Sequence, residues 1–576
     1  MPQDPEHFVT IGAATSPSFS RDGGTLFHLR GSGLPQVWAL DLATNDARQL
    51  TFHDEKVALL RRSPVDDRLI YGIDRGGDER QQLWLLEPDS EPRALTANMA
   101  AIHDFGAWSP DGTQIAYAAN ECDEAHFDVY VQKVATGVRQ CVYRGNNIVT
   151  VSGFSPDESK LTLLHDRGYG DMSLLVLDLA TGIATEVAGP ANWQSVRWAS
   201  DGESLLALTD LNSEFLRLCR LNGDASVVYE ANGRDVEAWS LSPDGQALAT
   251  VENDRGYGVL RVGSFNGERP IVTGLPRGVV NDLAWSPDST ALAFSAASPT
   301  QPPGLWLWRE GTARALSQPE DSDFVDLELV EWASFDGTRI AGWLALPRAG
   351  KAPFPAIVWV HGGPVGQTRP NFRPDIQMLL AQGFAVLMPN VRGSSGYGRS
   401  YTDSDDVARR LDSVTDLAHG RAWLAAHPAI DAERIGIMGQ SYGGFMVMSA
   451  ITEHPELWRA AVNYYGIADF TTLLESTGSW RRSHRAAEYG DDAALFARIS
   501  PIHRVDRIQI PVLIAHGTRD PRVPFSESEQ YVTALQERQQ KVAFETFDYA
   551  GHGFIRPDDR RRIYRAVAEF FTAHLV

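Results

Sequence analysis

Gly439-Gln440-Ser441-Tyr442-Gly443-Gly444 places a serine between glycines, directly after the apolar run Ile435-Gly436-Ile437-Met438 and just before a helical stretch beginning Gly444-Phe445-Met446. The spacing is G-x-S-x-G, a pattern in which a sharp strand-to-helix turn lifts a serine hydroxyl clear of its surroundings. A hydroxyl is a weak nucleophile until a base takes its proton. The implied chemistry is acyl transfer, and in this arrangement the acid and the histidine follow the serine along the chain. Gly551-His552-Gly553-Phe554 supplies the base: a histidine between two glycines, after the alternating strand Val542 to Phe547. Asp520 supplies the acid that orients His552 and stabilises its imidazolium. It follows the buried run Pro511-Val512-Leu513-Ile514-Ala515, where a side chain projects over a sheet edge. His503 and His516 compete for the base and read as structural. Asp506 and Asp548 are substitutes for the acid, but neither follows a completed central strand.

The tetrahedral intermediate of acyl transfer needs backbone donors aimed at its oxyanion. The amide of Tyr442, just after the serine, is one. His361-Gly362-Gly363-Pro364, after the strand Ala356 to Val360, offers the other. Its glycines allow close approach to a substrate, and Gly363 is favoured over Gly362.

Positioning these groups requires a sheet with turns at one edge. The runs at 356–360, 385–388, 435–438, 460–463 and 511–515 alternate with helical patterns such as Val414 to Ala426 and Phe445 to Thr452. That alternation predicts a doubly wound, mostly parallel sheet, the α/β-hydrolase fold. A hairpin opened by Trp332-Ala333-Ser334-Phe335-Asp336-Gly337-Thr338 returns through Arg339 to Pro347 ahead of it.

The first half has a different period. Trp108-Ser109-Pro110-Asp111-Gly112 recurs in degraded form, with the Ser109 position repeated at 20, 63, 155, 199, 242 and 286. Each unit is a turn of Ser, Pro, Asp and Gly followed by an alternating strand, a polar loop and another strand. Four short strands in about 40–45 residues is the length of a propeller blade. Seven copies predict a seven-bladed β-propeller over 1–320, with room for a short N-terminal extension packing on the second domain, and the hydrolase domain over 321–576. The polar stretch Pro319-Glu320-Asp321-Ser322-Asp323 separates the two. Loops at Asp74-Arg75-Gly76-Gly77, Asn120 to Glu124, Asp166-Arg167-Gly168-Tyr169-Gly170 and Asp254 to Gly258 gather on one propeller face. That face can meet substrate or the other domain; solvated loop is the simpler reading.

The chain of 576 residues carries a formal charge of −22, against the phosphate neutralisation that nucleic-acid binding needs. Cys122, Cys141 and Cys219 form no Cys-x-x-Cys pair and no disulfide framework. No His-Glu-x-x-His, Cys/His cluster or Gly-rich phosphate loop is present, so neither a metal nor a cofactor is expected. The start, Met1-Pro2-Gln3-Asp4-Pro5-Glu6-His7, has no basic n-region or apolar h-region, and no apolar run nears bilayer length. A cytoplasmic protein with no membrane partner is the expectation.

A propeller joined to such a domain resembles the prolyl oligopeptidase family of serine peptidases. The markers are His361-Gly362-Gly363-Pro364, Arg392-Gly393-Ser394-Ser395-Gly396-Tyr397-Gly398, Gly439 to Gly444, Asp520-Pro521-Arg522-Val523-Pro524 and Gly551 to Phe554. The His-Gly-Gly-Pro form is most similar to the acylaminoacyl-peptidase branch. No tyrosine stands between 359 and 396, where other branches place an oxyanion tyrosine. The resemblance implies a propeller that admits short peptides and excludes folded proteins, and a family that often self-associates. It also implies that Arg522 binds a substrate carbonyl near the scissile bond, and that the Arg392 to Gly398 loop is scaffold. Tyr465 and Phe445, with Tyr442 and Trp480, are candidates to line a substrate side-chain pocket. No adjacent Glu-Glu pair, the dipeptidyl-peptidase device for a free amino terminus, occurs in the propeller; Glu121 and Glu124 are a distant substitute. The expected activity is hydrolysis of short peptides, releasing an N-acylated amino acid. Dipeptidyl or oligopeptidase action, a carboxylesterase with the same triad, and a non-catalytic scaffold are the alternatives.

Overall fold

A computed structural model describes residues 4–168, 170–317 and 323–576. Tyr169 and the Pro319-to-Ser322 stretch, with the expected domain boundary at 320/321, lie outside the described residues.

Residues 13–315 form seven antiparallel sheets, six of four strands and one, at 236–264, of three. We number these blades 1 to 7 in chain order. In blades 1, 3, 4, 6 and 7 the turns repeat one hydrogen-bond scheme. In blade 3 the Ser109 hydroxyl donates to Asp111 Oδ1 at 2.6 Å, and Asp111 accepts from the Thr113 amide at 2.9 Å. The Ser20–Asp22, Ser155–Asp157 and Ser286–Asp288 pairs match it at 2.6 Å. These donors hold the aspartates below the usual carboxylate range, to about 2 at Asp157. Apolar side chains of neighbouring blades fill the space between sheets, as where Ile70, Leu83 and Leu85 meet Trp108, Ile115 and Tyr117. Every blade is built from consecutive strands, and the ring closes by packing of Phe19, Leu26 and Leu40 of blade 1 against Ala293, Leu305 and Leu307 of blade 7, with the Ser16 amide donating to Asp282 Oδ2 at 3.1 Å.

The second domain holds one eight-stranded sheet. Its strands are β1 (Glu328–Ala333), β2 (Arg339–Ala345), β3 (Phe354–Val360), β4 (Ala385–Asn390), β5 (Ile430–Gln440), β6 (Ala461–Tyr464), β7 (Val512–Gly517) and β8 (Val542–Phe547). Their order is β1-β2-β4-β3-β5-β6-β7-β8. β1 and β2 run antiparallel to their neighbours, and every pair from β4 onward is parallel. Helices α1 (Pro374–Ala381), α2 (Arg410–Ala425), α3 (Tyr442–Glu453), α4 (Phe470–Ser476), α5 (Arg482–Tyr489), α6 (Ala493–Ile499), α7 (Phe525–Glu537) and α8 (Pro557–Leu575) cover it. Two apolar clusters lie on its faces, one around Val358, Ile437 and Ile514, the other around Ile357, Trp359 and Phe571. Both faces of the central strands are therefore apolar, which is why their sequences run rather than alternate.

The N-terminal turn Pro5–Phe8 rests on this domain: Phe8 is buried in the second cluster, and Arg561 Nε donates to Glu6 Oε1 at 2.7 Å. The four propeller loops expected to be solvated instead face the hydrolase domain. A β-carbon on Gly76 would meet Tyr549, one on Gly168 would meet Ala487, and one on Gly256 would meet Trp343. Glycines there leave room for the backbone or side chains of the hydrolase domain, so the loops form part of the inter-domain contact.

The Arg392 to Gly398 loop is anchored by its arginine. Arg392 Nη2 donates to Asp416 Oδ1 on α2 at 2.8 Å, and Nη1 to Asp336 Oδ2 in the hairpin at 3.0 Å. The Arg392 and Asp416 side chains are 6% and 0% exposed. Removing one partner of such a pair strands a buried charge. Arg392→Met should cost about 3–5 kcal/mol, read as an earlier hydrolase-domain transition in guanidinium, and Arg392→Met with Asp416→Leu should recover much of it. An unchanged midpoint in the single variant would show that the pair does not anchor the loop.

Candidate active site

β5 ends at Gln440 and α3 starts at Tyr442, leaving Ser441 as the turn with φ 58° and ψ −122°. Few residues with a β-carbon accept this conformation. Its neighbours explain how it is held. A β-carbon on Gly443 would stand 2.2 Å from the Val360 carbonyl oxygen, and one on Gly439 would stand 2.4 Å from that of Gly443. The Ser441 amide donates to the Tyr464 carbonyl at 2.9 Å, tying the turn to β6.

Around Ser441 the structure assembles a contact chain. The Ser441 hydroxyl lies 2.9 Å from His552 Nε2, and His552 Nδ1 lies 2.6 Å from Asp520 Oδ2. Donation from Nδ1 to the carboxylate leaves Nε2 as the acceptor facing the hydroxyl. Asp520 Oδ1 accepts from the amides of Arg522 at 2.8 Å and Val523 at 3.0 Å. Burial works against the Asp520 charge, but hydrogen bonds from His516 and His552 outweigh it and hold the carboxyl well below its ordinary range. For His552 burial wins over the Asp520 carboxylate, and its pKa falls below the usual imidazole value. His503 and Asp506 stand exposed elsewhere, and Asp548 is exposed as well. His516 lies fully buried behind Asp520, 3.3 Å from Oδ2.

The His361-to-Pro364 loop follows β3 and presses on the serine turn: a β-carbon on Gly362 would lie 3.4 Å from Ser441 Cβ. His361 is fixed by Nδ1 at 2.8 Å from the Gly362 carbonyl and Nε2 at 3.0 Å from Ser394 Oγ. Gly362 and Gly363 both line the same cavity as Ser441, of ≈ 800 Å³. The Tyr442 amide is in the first turn of α3, where the helix itself supplies no acceptor.

The substrate-binding candidates separate. Tyr465 lines the cavity, its ring 4.6 Å from that of His552 and its hydroxyl donating to Gln440 Oε1 at 3.3 Å. Trp480 and Arg522 line it too. Phe445 does not: it is 0% exposed, on the core side of α3 against Phe470. The Tyr442 side chain is likewise internal, its hydroxyl donating to Asp405 Oδ2 at 2.9 Å. Their position one and four residues past the serine put both rings on the helix face that packs under the turn.

Glu79, absent from the sequence reading, reaches the site from blade 2. Its carboxylate accepts from Arg522 Nε and from Arg481 Nη2. It stands just past the loop Asp74 to Gly77, so the turn signal marked its neighbourhood but not its role. Glu121 is occupied within blade 3, by His103 at 2.7 Å and Arg139 at 2.7 Å. Among the described residues no helix is long and apolar enough to cross a membrane, and no group of three or more ligating side chains that could hold a metal is found.

A serine turn at the carboxyl edge of this sheet, with a histidine and an aspartate in reach, defines an α/β-hydrolase, here joined to a seven-bladed β-propeller. Residues 370–576 match the prolyl oligopeptidase family and residues 101–307 the TolB beta propeller domain. The chain thus carries a prolyl oligopeptidase family domain at 370–576 and is a serine-type peptidase. It is 27% identical over 546 residues to dipeptidyl aminopeptidase BIII of Pseudoxanthomonas mexicana, covering 88% of this chain and 78% of the relative. Puromycin hydrolase superposes with a TM-score of 0.88 at 19% identity, over 100% of this chain and 96% of that one. Acylaminoacyl peptidase of Pyrococcus horikoshii superposes with 0.77 at 18% identity, over 100% and 98%.

With its pKa lowered by burial, the His552 ring stays unprotonated below the ordinary value of about 6.5. The acid limb of kcat/KM should therefore fall below pH ~6.5; a limb at or above it would contradict the burial of His552. Gly443→Ala should abolish activity, since its methyl has no room beside Val360 and His361, and full activity in that variant would disprove the close packing.

Proposed function

We propose that the chain hydrolyses short peptides through Ser441, His552 and Asp520, with release of an N-acylated amino acid as its characteristic reaction. The observation that carries this is the contact chain from Ser441 Oγ through His552 to Asp520. In this reading Ser441 attacks the scissile carbonyl while His552 Nε2 takes its proton. The negative oxygen that forms is met by the amides of Tyr442 and Gly363. His552 returns its proton to the leaving amine, and water then repeats the sequence on the acyl-enzyme. Asp520 keeps Nδ1 protonated and the ring aimed throughout.

The amino-terminal side of the substrate would meet the Arg481–Glu79–Arg522 group. One carboxylate between two guanidinium groups carries a net positive charge. Such a site suits an acyl carbonyl oxygen, to which Arg522 would donate, better than a free ammonium. Support also comes from the His361-Gly362-Gly363-Pro364 form and the likeness in fold to an acylaminoacyl peptidase. A dipeptidyl-peptidase reading has one specific support, the presence of Glu79 beside Arg522, together with the name of the Pseudoxanthomonas relative.

Matched peptides with acetylated and free amino termini separate the two. The acetylated peptide should be cleaved faster, with the acetyl amino acid as product; preference for the free terminus would overturn the acyl reading and assign Glu79 to the ammonium. Ser441→Ala should lower kcat by at least about 10⁴-fold without changing the circular dichroism, and substantial residual turnover would remove Ser441 from the mechanism.

A further inference from the structure

Asp520 is held by more than His552. His516 sits on β7 with its side chain 0% exposed, and its ring spans three elements. Nδ1 lies 2.7 Å from Ser528 Oγ on α7. Nε2 lies 3.0 Å from the Val523 carbonyl and 3.3 Å from Asp520 Oδ2. Both neighbours of Nε2 are acceptors only, so Nε2 carries a proton and donates between them, and the Ser528 hydroxyl serves Nδ1. The same carboxylate oxygen that faces His552 at 2.6 Å thus faces a second imidazole. Oδ1 is already taken by the Arg522 and Val523 amides. Asp520 thus has two imidazoles against Oδ2 and two backbone amides on Oδ1.

Building on the proposed triad, we infer that His516 is a positioning residue for catalysis: it fixes the rotation of Asp520 and shares the carboxylate's charge, which sets how strongly Asp520 draws on His552. Two consequences follow from the donor at Oδ2. It keeps that oxygen trained on His552 Nδ1 as the ring picks up and returns its proton. It also makes the carboxylate less basic, so the His552 imidazolium is stabilised less than by an aspartate with a single partner. The charged and titratable groups facing this unit are few. Tyr465 comes from the loop after β6, its ring 6.1 Å from His516 and 4.6 Å from His552. Arg522 and, through it, Glu79 act on His552 from the other side. Phe525 on α7 closes the remaining face, 5.4 Å from His516.

The test is the pH dependence of kcat/KM for an acetylated peptide in the full chain, with Ser441→Ala as the blank. His516→Phe removes the donor while filling the space. It should lower kcat about tenfold, the equivalent of one weakened hydrogen bond to an ion, leave KM within about twofold, and move the acid limb to higher pH. The shift is upward because a carboxylate with one fewer donor holds the imidazolium more tightly. His516→Gln, whose amide nitrogen can reach the Nε2 position, should restore both the rate and the limb. Ser528→Ala, which frees Nδ1 without touching Asp520, should give a smaller shift in the same direction and decides the matter if His516→Phe does not fold. An acid limb that stays at the wild-type pH in His516→Phe, or in Ser528→Ala where that variant stands alone, overturns the inference. Equal losses in His516→Gln and His516→Phe do so as well. Activity persisting in Ser441→Ala would instead overturn the triad itself, so the two failures are separable.

Discussion

Ser441 sits at φ 58° and ψ −122°, a conformation that costs a residue with a β-carbon about 1–3 kcal/mol. The surrounding fold has to hold it there. Gly443 lies against the carbonyl oxygens of Val360 and His361 with no room for a methyl group, and the Ser441 amide is hydrogen-bonded to Tyr464. β3, β5 and β6 are therefore locked together at the point where the serine turns. The apolar clusters on both sheet faces supply the rigidity, since parallel central strands buried on both sides cannot shift singly. The same close approach brings Gly362 beside Ser441, so one packing constraint places the serine turn and the loop of the proposed oxyanion donors together.

The second constraint is the meeting of two domains. Blade 2 sends Glu55 to the Tyr549 hydroxyl at 2.7 Å and Glu79 to Arg481 and Arg522. Blade 6 sends Glu237 to Arg369 at 2.7 Å. In each case an acid of the propeller meets a donor near a catalytic-edge loop, so part of the chain's excess negative charge is spent on orientation. Gly77 rests against Gly551, where a β-carbon on Gly551 would stand 2.1 Å from the Gly77 oxygen. The histidine loop is thereby packed against the propeller on one side and the sheet on the other. This enclosure is also what depresses the His552 pKa, because taking the ring out of water disfavours its charged form.

How much of this the sequence reveals depends on how local the signal is. The serine turn, the Ser-Pro-Asp-Gly repeat and the strand before each catalytic loop are short-range patterns, and each was legible. Asp520 and His552 could be chosen because strands ending at a sheet edge restrict where a side chain can act. Phe445 was misplaced because helical spacing tells which residues share a face, not whether that face looks into a cavity or a core. Glu79 and Arg522 are 443 positions apart, and no periodicity links a blade loop to a hydrolase loop. The inter-domain loops read as solvated for the same reason: polarity and glycine mark an exposed turn and a domain contact alike. His516 reads as structural because it stands at a strand end just before the acid loop, and the sequence does not show that its ring turns toward Asp520.

The central claim is that Ser441 is the nucleophile, made reactive by its turn and by His552. An organophosphonate that transfers its phosphonyl group to activated serines tests it directly. Wild-type protein should gain one adduct mapping to the peptide that contains Ser441, with the rate of labelling falling as His552 is protonated. No adduct, or an adduct mapped to a different residue, would contradict the account.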